Sequence, residues 1–259
     1  MVPAMVARMV RVCADDFGYS EVGSPVHRGK LESTCVGKAQ ETMSDAPAAS
    51  SAILLAMTAV TGIVDAVSFL AMGHVFTANM TGNIVLLGFA LAGAAGLSVS
   101  RSSVALIAFL AGAVGGGRMT LDVSGHRWVS RAFLMEASLL ALSAALAIIY
   151  PLQQYAVIAS TGVAMGLRNA VVRKLGVADL TTTVLTLTIT GLAADSRLAG
   201  GDSPRWQRRS AAIVAMLAGA TAGTLMVLRS ISLPLAVCSV ITAGCAIANV
   251  YINSKRRQP

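Results

Sequence analysis

Residues 211–228 read AAIVAMLAGATAGTLMVL, without one Asp, Glu, Lys or Arg. A helix rises about 1.5 Å per residue, so this stretch comes close to crossing a hydrocarbon core of about 30 Å. It is not alone. Ala52–Ala71, Ala132–Tyr150 and Ile231–Tyr251 are equally oily, interrupted only by Asp65 and Glu136. A backbone in lipid must satisfy its own hydrogen bonds, which makes these segments helices. The alternating pattern of a membrane barrel is missing. Over the whole chain of 259 residues, 55% are hydrophobic and 12% charged, about half the charged fraction of an ordinary soluble domain. The reading is an all-α, polytopic membrane helical bundle.

Eight apolar segments follow residue 50, at roughly 51–73, 80–97, 102–117, 132–150, 152–172, 180–194, 211–228 and 231–251. Two are weak. Segment 80–97 opens on a polar run, and 180–194 is rich in threonine and closes at Asp195. Loop charge separates the topologies, because Lys and Arg gather on the cytoplasmic side. If all eight cross, eight loop cations fall inside and six outside, which is almost no bias. If the two weak segments enter and leave on one side, the score is twelve inside against two outside, Arg101 and Arg229. The expectation is therefore about six crossings plus two broken or re-entrant segments, with both termini cytoplasmic.

The halves resemble each other. Gly62-Ile63-Val64-Asp65-Ala66-Val67 stands against Gly166-Leu167-Arg168-Asn169-Ala170-Val171, and Met80-Thr81-Gly82-Asn83 against Leu185-Thr186-Leu187-Thr188. With three crossings per half, the second copy is inverted. Such 3+3 repeats with broken helices are common in transporters and channels.

The net charge of +8 does not point to nucleic acid. Residues 1–50 hold five Lys/Arg and six Asp/Glu, and most remaining cations sit in short loops rather than in a groove with aromatics. Cys13, Cys35, Cys238 and Cys245 form no zinc or CxxC spacing and read as plain thiols. No Ser/His/Asp set or carboxylate pair stands out, His74 and His126 are isolated, and no cofactor, metal or enzyme activity is expected.

A few polar residues are the candidates for a solute or proton site. Asp65 lies inside a span, where an ionisable group is costly and faces protein or water. It can couple a proton, bind a cation or hold a broken helix. Asn79, Thr81 and Asn83 flank Gly82 and can cap a half-helix whose N–H groups face a polar solute. Asn169 and Thr186 are their partial counterparts. The bland readings put Glu136 at the interface, make Arg168 a snorkelling cation and treat the Thr181–Thr190 hydroxyls as packing groups. Ala111 and Gly115 have the small-xxx-small spacing of close helix contacts.

Two resemblances add to this. The Gly62–Leu70 and Val75–Asn83 stretches, with Met165–Ala170 and the Thr181–Thr188 run, resemble the YoaK-like bacterial membrane proteins over residues 50–255. That family is a domain of unknown function; the resemblance implies a polytopic protein of the bacterial inner membrane and no substrate. Arg168 departs from the family's more usual Gln, and Leu187 from its Gly. Residues 12–32, with Ala14-Asp15-Asp16, faintly resemble the opening of YdjC-like carbohydrate deacetylases, where Asp16 would bind a metal. The chain turns hydrophobic where that family's later histidines should lie, so no deacetylase activity is expected. Residues 1–46 read as a polar, disordered extension ahead of a 47–259 membrane domain, with Met43 resembling a natural start. The functional expectation is a small-solute transporter or channel in the lipid bilayer. A protein that binds a partner or lipid without transport is the alternative, and a homo-oligomer stays open.

Overall fold

The computed structural model describes residues 48–119, 127–150, 152–175, 185–203 and 205–255. The expectations placed on residues 1–46, on His126 and on Thr181–Thr183 lie outside them. The described residues form eight α-helices: α1 (Ala48–Ala71), α2 (Met80–Leu91), α3 (Val99–Met119), α4 (Arg127–Ile149), α5 (Gln154–Leu175), α6 (Leu185–Ala194), α7 (Trp206–Val227) and α8 (Ser232–Lys255). A 3-10 turn at Arg197–Ala199 joins α6 to α7. Six of the eight are long and apolar enough to cross a membrane. The weak segments became α2 and α6, of 12 and 10 residues, or about 18 and 15 Å, too short to cross.

Helix ends run further than the oily stretches. α4 begins at Arg127, five residues before the uncharged run, and α7 takes in Arg208 and Arg209. Long cationic side chains extend from a helix end into the interface without breaking it, so charge marks the edge of the lipid rather than of the helix. At the end of α1 the chain reverses through Gly73 (φ 85°) and His74 (φ 60°). Gly73 takes this left-handed turn without strain, and the Arg101 side chain packs over it in space that a Cβ would fill.

The long helices form a ring of four, α1–α5–α4–α8, with α3 laid against α5 and α7 against α1. The short helices are outermost, α2 on α3 and α6 on α7. Exchanging α1 with α5, α2 with α6, α3 with α7 and α4 with α8 turns this packing scheme into itself. The agreement reaches single residues. A Cβ on Gly219 of α7 would collide with the Ala59 carbonyl of α1, and one on Gly112 of α3 with the Val163 carbonyl of α5. Gly62 meets Met216 as Gly166 meets Phe109, and Gly223 meets Ile63 as Gly116 meets Leu167. These are the residues that the Gly62/Gly166 match aligns. The packing glycines of α3 are Gly112 and Gly116, one residue on from the Ala111/Gly115 spacing; Gly115 faces open space.

The second half is upside down. Gln154 Nε2 donates to Ala71 O at 3.2 Å, which brings the start of α5 to the end of α1. Ser100 and Tyr155 hydroxyls meet at 2.8 Å, so α3 and α5 start together. α1, α4 and α7 therefore run one way and α3, α5 and α8 the other. The Gly73 end carries Arg101 and Arg229. The Arg118 end carries Arg118, Arg127, Arg131, Arg173, Lys174, Arg197, Arg205, Arg208, Arg209 and Lys255. Outward-facing Ile107, Leu110, Val214, Leu217, Val240 and Ile247 leave an apolar girdle, as a lipid-facing surface requires.

Candidate functional site

Asp65 stands on the inner face of α1, 6% exposed. Its Oδ1 accepts the Ala78 amide at 3.1 Å, and the Thr77 and Asn79 amides lie against the same carboxylate. Stacked Phe69 and Phe76 rings, 5.1 Å between centroids, hold this reversed segment against α1. Asp65 thus holds the broken helix: it satisfies the donors that precede α2. Asn79 caps α2 through its Oδ1 and the Gly82 amide at 3.2 Å. Asn83 is buried and donates to Ser102 O of α3 at 3.1 Å, while its Oδ1 has no partner. Thr81 is exposed.

Asn169 and Thr186 belong to the other half and the other end. Asn169 takes the place of Asp65 on α5 and donates to Met165 O at 2.8 Å, in its own helix. Thr186 is exposed on α6, beside buried Thr188. The structure therefore gathers Asp65, Asn79 and Asn83 around the start of α2 and leaves Asn169 and Thr186 apart from them. Arg209 closes the far end of α6, donating to Gly191 O at 2.6 Å and to Asp195 Oδ2 at 2.7 Å.

The centre of the ring holds the constellation that sequence reasoning missed. Arg168 and Glu136, expected to reach the interface separately, are both 0% exposed and form an ion pair between α5 and α4. The other arm of the guanidinium donates to Met57 O at 2.9 Å and to Thr61 Oγ1 at 2.8 Å, on α1. Ser239 of α8 donates to Ala137 O, and Asn249 of α8 to Ser130, which sets the antiparallel register and brings Thr242 level with Glu136. Cys238 and Cys245, both free and buried, flank Thr242 on the same face. Each of the four inner helices so contributes one polar residue to a single layer: Thr61, Glu136, Arg168 and Thr242. Three of its buried atoms have no partner: Glu136 Oε2, Arg168 Nε and Thr242 Oγ1.

Apolar layers close it on both sides. Towards the Gly73 end lie Val64, Leu140, Met165, Ile158 and Leu235. Towards the Arg118 end lie Met57, Val129, Phe133, Val171 and Cys245. Beyond the first layer a small cleft with room for about one water opens at the Gly73 end, lined by Ala71, Met72, Ala147, Tyr150, Gln154, Val157 and Ile231. Hydrogen bonds tie α4 to its neighbours at three levels: Ser143 to Ser160 at 2.6 Å, Glu136 to Arg168, and Ser130 to Asn249 at 2.8 Å. Among the described residues no group of three or more His, Cys, Asp or Glu could hold a metal ion.

Residues 53–248 match the family described as "Protein of unknown function (DUF1275)". The chain belongs to this family. It is also 38% identical, over 146 residues, to the UPF0700 transmembrane protein YoaK of Bacillus subtilis (strain 168). That match takes in 55% of this chain and 64% of the relative, so under two thirds of the relative's length is covered. No solved structure matches. The DUF1275 match covers all of α2 to α7, with most of α1 and α8, and so encloses the polar layer and both apolar ones.

Proposed function

We propose that this DUF1275 protein is a small-solute transporter or channel of the bacterial inner membrane, and not an enzyme. The start of α1 and the end of α8 lie on the cytoplasmic side, where the rule for positive charge puts the Arg118 end. One observation carries the reading. Two inverted halves meet around a polar layer at mid-depth, and an apolar layer separates it from each surface. Repeats of opposite orientation can rock about such a layer, opening one side while the other stays shut. The site is composite, since each inner helix supplies one group. Asp65, Asn79 and Asn83 serve it by anchoring the short helix α2 to α1 and α3, and Asn169 and Thr186 are the corresponding positions of the second half.

Reconstituted protein tests this. Liposomes are loaded with a panel of small neutral, anionic and cationic solutes, and flux is compared between the wild type, Asp65→Asn and Glu136→Gln. Flux of at least one solute that either substitution abolishes supports transport. Folded protein with no flux for any probe, across both orientations, rejects it and leaves a role in binding a partner or lipid.

A further inference from the structure

Counting charge around the polar layer leads further. Arg168 is one cation, and two carboxylates surround it: Glu136 in direct contact and Asp65 one turn along α1 from Thr61, which Arg168 also grips. α8 brings only the Cys238 and Cys245 thiols to this level. The ionisable groups of α3, Arg101 and Arg118, lie near its two ends, and those of α7 at its start. With every group ionised the centre would hold one uncompensated negative charge inside the membrane, which is costly there.

The two carboxylates are not equivalent. Backbone donors from Thr77, Ala78 and Asn79 face the Asp65 carboxylate. Only one oxygen of Glu136 is engaged, by Arg168; Oε2 is buried without a donor. A carboxylate oxygen without a donor is poorly stabilised, whereas the same oxygen as O–H needs just an acceptor. Thr242 Oγ1, also buried and unpartnered, lies at about the same level on the facing helix.

We propose that Glu136 is a proton-binding site: its Oε2 carries one proton while Asp65 stays ionised against Arg168. The layer is then neutral when the proton is bound and has one net negative charge when it leaves. Binding adds H⁺ to the carboxylate and release returns it to water, with no other bond made or broken. The polar pairs Ser143–Ser160 and Ser130–Asn249 lie along α4 on either side of Glu136, beyond the apolar layers. Resting on the transport reading above, this makes the translocation proton-coupled and Glu136 the coupling residue.

Infrared spectroscopy of the full chain in lipid reads the proton without any flux. The expected result at neutral pH is a carbonyl band of a protonated carboxylic acid that disappears in Glu136→Gln and persists in Asp65→Asn. The other glutamates are Glu21, Glu32 and Glu41. They precede the first span in sequence, and an ordinary glutamate is ionised at neutral pH. Wild-type protein with ¹³C-labelled glutamate carboxyls must therefore shift the band, and labelled aspartate must leave it in place, which avoids any dependence on folding of a variant. No band at neutral pH, or a band that follows aspartate, overturns the proposal. A glutamate band in a protein that moves no solute keeps the proton site and rejects only the transport reading.

Discussion

At the residue scale the decisive feature is a pair of side chains, 32 residues apart in sequence, that meet only in three dimensions. Their burial was not legible because each had a simpler explanation nearby. Glu136 lay one turn inside an oily run, and Arg168 stood close to Arg173 and Lys174. The structure extends α4 back through Arg131 to Arg127, which puts Glu136 nine residues, or about 14 Å, into the helix. Asp65 could be read as buried and as holding a broken helix, but not its partner, since the amides come from its own chain 13 residues on. The pair makes a sharp stability prediction. Arg168→Met leaves the buried Glu136 and Asp65 carboxyls without their cation and should cost about 3–5 kcal/mol, measured by thermal or denaturant unfolding in detergent. Adding Glu136→Leu should return part of that loss. If the double variant is as unstable as the sum of the singles, the two side chains do not depend on each other. Asp65→Ala should speed amide exchange at Thr77–Asn79 while leaving α3 and α5 protected. Unchanged exchange there would remove Asp65 from its anchoring role.

At the scale of elements, the small residues decide how closely the helices approach. The Gly62/Gly166 match was visible in sequence because both glycines open the same six-residue pattern. Gly112, Gly116, Gly219 and Gly223 were visible only as small residues in oily helices. Which of them pack depends on helix rotation, and a shift of one residue turns a side chain by about 100°. That is why the Ala111/Gly115 spacing pointed to the lipid side and the contact falls on Gly112 and Gly116. Substitution distinguishes the two registers. Gly112→Leu or Gly219→Leu forces a side chain into a neighbouring backbone and should destabilise by about 1–3 kcal/mol or more, with loss of monodisperse elution. Gly115→Leu enters open space and should elute and unfold like the wild type. Equal damage at Gly112 and Gly115 would contradict the α3–α5 interface. The short helices follow the same reasoning: α2 and α6 each rest on a single long neighbour, so they should exchange amide hydrogens faster than the inner ring.

At the scale of the molecule, the inverted arrangement makes a claim about sides. A charge count over the loops found it, since the two short helices move five cations to one side and only Arg101 to the other. The structure adds the directions of the helices and so says where each connection must surface. Ala95 lies between α2 and α3, and Ser230 between α7 and α8, both exposed at the Gly73 end. Asp202 lies between α6 and α7, exposed at the Arg118 end. Single cysteines at these positions, in a background lacking the four native thiols, report sidedness with a membrane-impermeant maleimide. Ala95→Cys and Ser230→Cys should label in intact cells, and Asp202→Cys only after the membrane is opened. Labelling of Ala95 and Asp202 from one side would mean that α2 or α6 crosses with its flanking segment. The two halves would then no longer be inverted, and a layer between them could not open alternately to two surfaces. Opposite sidedness at these positions is what a rocking mechanism needs before any substrate is known.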